Sequence, residues 1–226
     1  MVRDFLGRGW FVETTTRRVE DHDAWRRDIA TDSEARRLRL GSLNLSDSGS
    51  IRGFLADREE EPLDAIVVAA SPFDEVPLEE ATMEAYAAQT AAQVGGPATL
   101  VAGLSKALRS STLEGGATVV LFGDVHALLR PRPNATPYLA AKAAVEGLVG
   151  LLARELAPVR VFGMSPGLVG EVHAWSDEEI ERYVERLPLA RAGTCEDAAA
   201  SVAAAVLELR YSTGLVIPID GGRHLV

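Results

Sequence analysis

One cysteine, Cys195, stands in the 226 residues, so no internal disulfide can form, and its setting in Arg-Ala-Gly-Thr-Cys-Glu-Asp reads as a loop ahead of a helix. Positive charge is in deficit. The formal net charge is −10, whereas nucleic acid and anionic membrane surfaces both require a basic face, so neither is expected as a partner. Long apolar runs are missing too: stretches such as Leu148 to Ala153 fall far short of the roughly 20 residues that span a bilayer. The N-terminus shows no basic-then-apolar leader pattern, and a cytoplasmic location is expected. His22, His126, His173 and His224 are scattered without ligand spacing, so no metal site is expected. The sequence has no repeat, linker or low-complexity tract. What remains is 47% hydrophobic residues and a mean hydropathy near zero, which suits one domain over residues 1–226 with a full core.

Strand and helix patterns alternate along the chain. Trp10 to Thr16 is a β-rich run leading to a helix that opens near Asp21. Arg37 to Leu45 alternates as a strand, and Ser46-Asp47-Ser48 caps an amphipathic helix over Ile51 to Leu55. Asp64 to Ala70 and Ala117 to Gly123 are apolar runs of the kind buried on both faces of a sheet. Between them lies an alanine-rich segment, Met83 to Arg109, that reads as one long helix. Pro137 to Leu156 is a second long helix, Val159 to Met164 a strand, Asp177 to Arg186 and Glu196 to Leu209 helices, and Gly214 to Ile219 a last strand. This order predicts an α/β fold, a Rossmann-like doubly wound parallel sheet of about six strands with a crevice at the strands' carboxyl ends.

The chemistry centres on Tyr138 and Lys142. Four residues apart on a helix, they stack on one face about 5–6 Å apart at Cβ. An ammonium beside a phenol favours phenolate and lowers a pKa that starts at about 10, so the pair is expected to move a proton near neutrality. The spacing alone is common; its surroundings give it weight.

Taken in order, Asp64-Ala-Ile-Val, Gly115-Gly-Ala-Thr-Val-Val, Tyr138-x-x-x-Lys142, Arg160-Val-x-x-x-Ser165-Pro-Gly, Arg186-Leu-Pro-Leu-Ala-Arg-Ala-Gly-Thr-x-Glu-Asp and Thr213-Gly-x-x-x-Pro-Ile-Asp-Gly-Gly resemble the short-chain dehydrogenase/reductase family from about Phe5 onward. The resemblance implies a Rossmann domain binding NAD or NADP. It implies that the tyrosine is the acid/base, and that the lysine tunes it and holds the nicotinamide ribose. Arg17 and Arg18 fall where the family often places a base for the 2′-phosphate of NADP, and Asn44-Leu45 match the positions flanking adenine. Gln93 aligns with the asparagine of the active-site tetrad, and the catalytic serine falls on Gly123 or Asp124.

The departures are as informative. The family's first strand and glycine-rich phosphate turn should precede Phe5, and the sequence reads as an N-terminally truncated member lacking both. Gly7-Arg8-Gly9 is better explained by a helix end than as a substitute. The family's Asn-Asn-Ala-Gly is Val68-Ala69-Ala70-Ser71 here, and Glu171 stands where a threonine helps hold the carboxamide. Asp124 can donate a hydrogen bond only if protonated, and it serves equally as a strand-end cap. His126 is a further candidate proton donor near the site, and Trp175 lies where the family has a mobile lid.

Three functions remain open. The first expectation is a non-catalytic or impaired subunit with a degraded nucleotide site and no or weak cofactor binding, its Arg17, Arg18, Asn44 and Leu45 vestigial, assembled with a full-length relative. The second is an NAD(P)-dependent oxidoreductase acting on a small-molecule substrate through Tyr138 and Lys142. The third is a non-redox lyase, isomerase or cyclase using the same pair. Ala87, Ala91, Val94, Val145, Leu148 and Leu152 are expected to supply a helix interface for a homo- or hetero-oligomer. With no strand between them, Trp10 to Thr16 and Asp64 to Ala70 are expected to pair directly, because orphaned buried amides cost about 1–3 kcal/mol each.

Overall fold

A computed structural model describes residues 1–17, 29–31, 33–58, 61–170 and 175–226. The chain enters through helix α1 (Val2–Gly7) and strand β1 (Val12–Thr16), which pairs in parallel with β2 (Leu38–Ser42) in the register Val12 to Leu38. Helix α2 (Ser48–Ala56) begins where the Asp47 carboxylate accepts from the Gly49 amide, the cap expected from the Ser-Asp-Ser run. Strand β3 (Ala65–Val68) follows.

The alanine-rich segment is not one regular helix. It runs as α3 (Met83–Thr90), a π-turn over Ala91–Gly95, α4 (Gly96–Gly103) and, after a break at Leu104, α5 (Ser105–Arg109). Pro97 has no N–H to offer the Gln93 carbonyl, so the ladder widens there. Gly96 is required by close approach: a Cβ on it would lie 1.9 Å from the Leu45 carbonyl oxygen. Strand β4 (Thr118–Phe122) leads into a four-residue helix α6 (Val125–Leu128) that the sequence pattern did not reveal. Helix α7 (Thr136–Glu155) starts with Pro137 in its first turn, where a missing N–H costs nothing. Strand β5 (Arg160–Pro166), helix α8 (Asp177–Val184), helix α9 (Cys195–Leu207) and strand β6 (Leu215–Ile219) complete the chain.

Strands β3, β4, β5 and β6 lie in that order, all parallel. Two cores follow from the alternation of side chains along a strand. Val119 and Leu121 face Leu100, Val145 and Val149 on one side, while Val120 meets Phe162, Met164 and Val202 on the other. This is the doubly wound arrangement. Pairing of β1 with β3 is not found: among the described residues β1 and β2 form a sheet of their own, and no backbone hydrogen bond joins it to β3. The polar strand Val12–Thr16 has no fully buried residue, so water reaches its edge and the penalty that was to force the pairing is relieved. The join is apolar instead, with Trp10 and Val12 packing in the same cluster as Ala65 and Val67 around Phe5.

Arg18 and the helix expected near Asp21 lie outside the described residues, as do His22, Glu171 and His173. No helix among the described residues is long and apolar enough to cross a membrane.

Candidate functional site

The carboxyl ends of the parallel strands gather the candidate residues. Tyr138 and Lys142 sit on the inner face of α7, 7% and 2% exposed. The Tyr138 hydroxyl donates to Asp124 Oδ2 at 2.9 Å, and the other oxygen of that carboxylate accepts from the His126 amide at 2.8 Å, capping α6. Of the two serine positions left open by the sequence, the structure therefore brings Asp124 to the tyrosine and leaves Gly123 behind it. Lys142 Nζ donates to the Phe122 carbonyl at 2.6 Å and stands 5.7 Å from the Tyr138 ring centre.

The electrostatics differ from expectation. Burial first, and then the Asp124 carboxylate, push the Tyr138 phenol up, so it stays protonated. Lys142 was expected to dominate, but the nearest full charge on the hydroxyl is negative. Burial brings Lys142 itself down to about 8, while Asp124 and Glu146 oppose that shift.

Gln93, 3% exposed, lies in the π-turn and reaches the tyrosine only through an intermediary. Ser71 Oγ donates to Gln93 Oε1 at 3.3 Å and lies close enough to the Tyr138 hydroxyl to oppose part of its pKa shift. Gln93 Nε2 donates to Gln89 Oε1 at 2.5 Å, and Gln89 Nε2 to Asp74 Oδ2 at 3.4 Å, near the surface. Phe73 stands edge-on to Tyr138 at 4.9 Å, with the Arg132 guanidinium 4.8 Å from the Phe73 ring centre. A parallel bridge between Val76 and Ala135 pins this loop to the start of α7.

Sequence reasoning missed Ser71 as a polar contributor, and with it Phe73, Tyr183 and Glu146. Only Glu146 left a signal, as the third residue in the ladder 138, 142, 146 of α7. Its Oε1 accepts from Ser165 Oγ at 2.6 Å, and burial raises the pKa of its carboxyl.

His126 is tied to its own loop, with Nδ1 2.7 Å from the Arg130 carbonyl oxygen, and lies 6.4 Å from the Tyr183 ring. Tyr183 in turn meets Trp175 at 5.4 Å and Arg223 at 5.0 Å, so α8 is fastened over the site by an aromatic and cationic stack.

Arg17 is exposed directly after β1, and Asn44 and Leu45 follow β2, at the carboxyl ends of the two-stranded sheet. The Asn44 amide donates to Ser50 Oγ at 2.9 Å, and its Oδ1 accepts from the Ser46 amide at 3.1 Å. Gly9 follows α1 with φ +90° and donates to the Leu6 carbonyl. The Gly-Arg-Gly run is therefore a helix end at the amino side of β1, remote from the carboxyl-end crevice. Among the described residues no group of three or more His, Cys, Asp or Glu is placed to hold a metal ion.

The sequence matches the family described as Enoyl-(Acyl carrier protein) reductase over residues 1–224. It is 36% identical over 116 residues to Dehydrogenase/reductase SDR family member 4 of Homo sapiens, which covers 48% of this chain and 41% of that protein. To the 3-oxoacyl-[acyl-carrier-protein] reductase FabG of Staphylococcus aureus (strain MW2) it is 38% identical over 98 residues, covering 41% and 40%. The matched stretch thus spans less than half the length of these curated relatives. Among solved structures, FolM Alternative dihydrofolate reductase 1 from Brucella canis, complexed with NADP, superposes with a TM-score of 0.84 at 26% identity, covering 100% of this chain and 88% of that one. A short-chain dehydrogenase/reductase from Brucella melitensis superposes with a TM-score of 0.86 at 22% identity over 98% and 89% of the two chains, a likeness of fold alone.

Proposed function

The chain belongs to the short-chain dehydrogenase/reductase family, and from that premise we propose that it is an NAD(P)H-dependent reductase of a small carbonyl compound, with Tyr138 as proton donor. The observation that carries this reading is the Tyr138 hydroxyl, held by Asp124 beside the buried Lys142 at the carboxyl ends of parallel strands.

Residues fit such a cofactor at its two ends. Tyr138 and Lys142 would hold the nicotinamide ribose, and Arg17, Asn44 and Leu45, at the carboxyl ends of β1 and β2, would receive the adenosine half. The described residues provide no glycine-rich cradle for the pyrophosphate at the carboxyl end of a strand, which points to weak binding. The NADP in the Brucella canis relative supports this cofactor class. The chemistry a bound nicotinamide nucleotide supplies is hydride.

Everything else falls to the chain's own residues. As negative charge grows on a carbonyl oxygen, the Tyr138 hydrogen transfers from its bond with Asp124 to that oxygen. Lys142 stays cationic at neutrality because its lowered pKa of about 8 is still above 7, and its charge stabilises the phenolate left behind. Phe73, Trp175 and Tyr183 offer an apolar lining that keeps water away and suits an apolar substrate. The test is oxidation of NADPH and NADH by the purified protein against a panel of ketones and acyl thioesters. No turnover with any of them would sink the reading.

Gly123 favours a second reading. It leaves no hydroxyl at one of the two positions the resemblance gives to the serine, which fits an impaired subunit completed by an intact relative. Pairing would use the outward face of α7, where Ala140, Ala144 and Gly147 are exposed and Leu151 is 66% exposed. Several residues expected at this interface face inward instead: Val145 is 3% exposed, and Leu148 and Leu152 pack on the core, because the 3.6-residue turn puts them on the sheet side.

A further inference from the structure

We infer that Glu146 is a positioning residue: with Ser165 it fills the space a side chain at position 123 would need, so that the turn after β4 presents the next residue, Asp124, to Tyr138. The consequence for catalysis rests on the reductase reading; the geometry stands without it.

The space is the first argument. A Cβ built on Gly123 would lie 2.6 Å from Ser165 Oγ, 2.9 Å from Glu146 Oε1 and 3.0 Å from Glu146 Cγ. Contacts under 3.0 Å are not tolerated, so neither alanine nor serine fits unless both neighbours move. Ser165 is 1% exposed, and its bond to Glu146 at 2.6 Å has the length of a hydroxyl donating to a charged carboxylate. A side chain at position 123 would therefore have to displace both partners and break or bend the bond between them.

The turn is the second argument. The Gly123 amide donates to the Met164 carbonyl at 2.8 Å, and Glu146 of α7 packs against the same residue from the other side. The turn at residue 123 is thus held by a hydrogen bond from β5 on one side and by packing from α7 on the other. Asp124 leaves it extended, with φ −158° and ψ 131°, and its carboxylate meets the tyrosine. The partner of Tyr138 is set one residue further along the chain because the nearer position is filled from behind.

An apolar filler would occupy the space but would lose the bond to Ser165 and remove a charge. Lys142 is faced by Asp124 from the turn after β4 and by Tyr138 and Glu146 from its own helix; β5 contributes only the Ser165 hydroxyl, through Glu146.

Two measurements test this. In thermal melts, Gly123→Ser is expected to lower the melting temperature by about 5 °C, and adding Glu146→Ala should recover most of that loss relative to Glu146→Ala alone. Purely additive losses would overturn the packing claim, and Gly123→Ala replaces the serine variant if that one does not fold. The second measurement is the pH profile of kcat/KM for Glu146→Gln, which keeps the shape and the acceptor for Ser165 but loses the charge. Its alkaline limb should move to lower pH, as Lys142 loses a supporting anion, with the melting temperature held. An unmoved limb at full activity would reduce Glu146 to a filler. If the wild type turns over nothing, the reductase reading fails while the melts still decide the geometry.

Discussion

Tyr138 gives its phenolic hydrogen to Asp124 at 2.9 Å, and the same carboxylate caps the next helix at the His126 amide. One side chain therefore both shapes the turn and adds to the effect of burial in keeping the tyrosine protonated. Removing the hydroxyl isolates its chemical share: Tyr138→Phe is expected to cut NAD(P)H-dependent turnover about 100- to 10,000-fold, the usual worth of a positioned proton donor. Rates for the variant and the wild type on one ketone would show it, and equal rates would exclude Tyr138 as the donor.

Lys142 makes stability depend on pH in a definite direction. Its pKa is lowered from 10.5 to about 8 in the folded chain. Between those values the unfolded chain binds more protons, so folding stability rises with pH across that window. At about 1.4 kcal/mol per unit the span is about 3 kcal/mol. Melting curves of the wild type against Lys142→Met should therefore show the wild type gaining on the variant from pH 7 to pH 10. A gap that does not change with pH would contradict the burial of a titrating ammonium.

Nucleotide binding is expected to be weak, with dissociation constants for NADH and NADPH no tighter than millimolar, since the described residues offer no pyrophosphate cradle. Calorimetric titration checks this directly. A micromolar constant would mean that the phosphates are held by groups other than those named above.

The exposed face of α7 carries Ala140, Ala144 and Gly147, small enough to let a second helix approach closely. Ala144→Arg should shift the protein, alone or co-expressed with a full-length relative, to a smaller species in sedimentation. A wild type that sediments as a monomer under both conditions would remove the interface.

Much of this was legible in the residues themselves. The apolar run from Thr118 to Phe122 and the four-residue step from Tyr138 to Lys142 follow from strand and helix periods, and both were found where the pattern put them. Glu146 was visible as the next step of the same ladder, but what it touches depends on Ser165, 19 residues away along the chain. The sign of the Tyr138 shift was not legible either, because it turns first on how deeply the phenol is buried and then on how close Asp124 comes, and both are properties of the finished fold. The interruption of the alanine-rich helix was written in Gly96-Pro97, whereas the separation of β1 from β3 was not, because solvent access to an edge is a property of the finished fold.

That separation bears on how the molecule opens. Hydrogen-bonded ladders tie β3 through β6 into one sheet, whereas β1 and β2 join it through side chains around Phe5 and Trp10. Segments linked in this way tend to unfold as separate cooperative units, each with its own free energy. Native-state amide exchange should divide the chain accordingly: the amides of Val12–Thr16 and Leu38–Ser42 exchange through a sub-global opening, while those of Thr118–Phe122 and Arg160–Pro166 wait for global unfolding. Under the proposed function, a nucleotide whose adenosine half met the first unit and whose nicotinamide half met the second would couple the two, so that ligand would protect the weaker unit most.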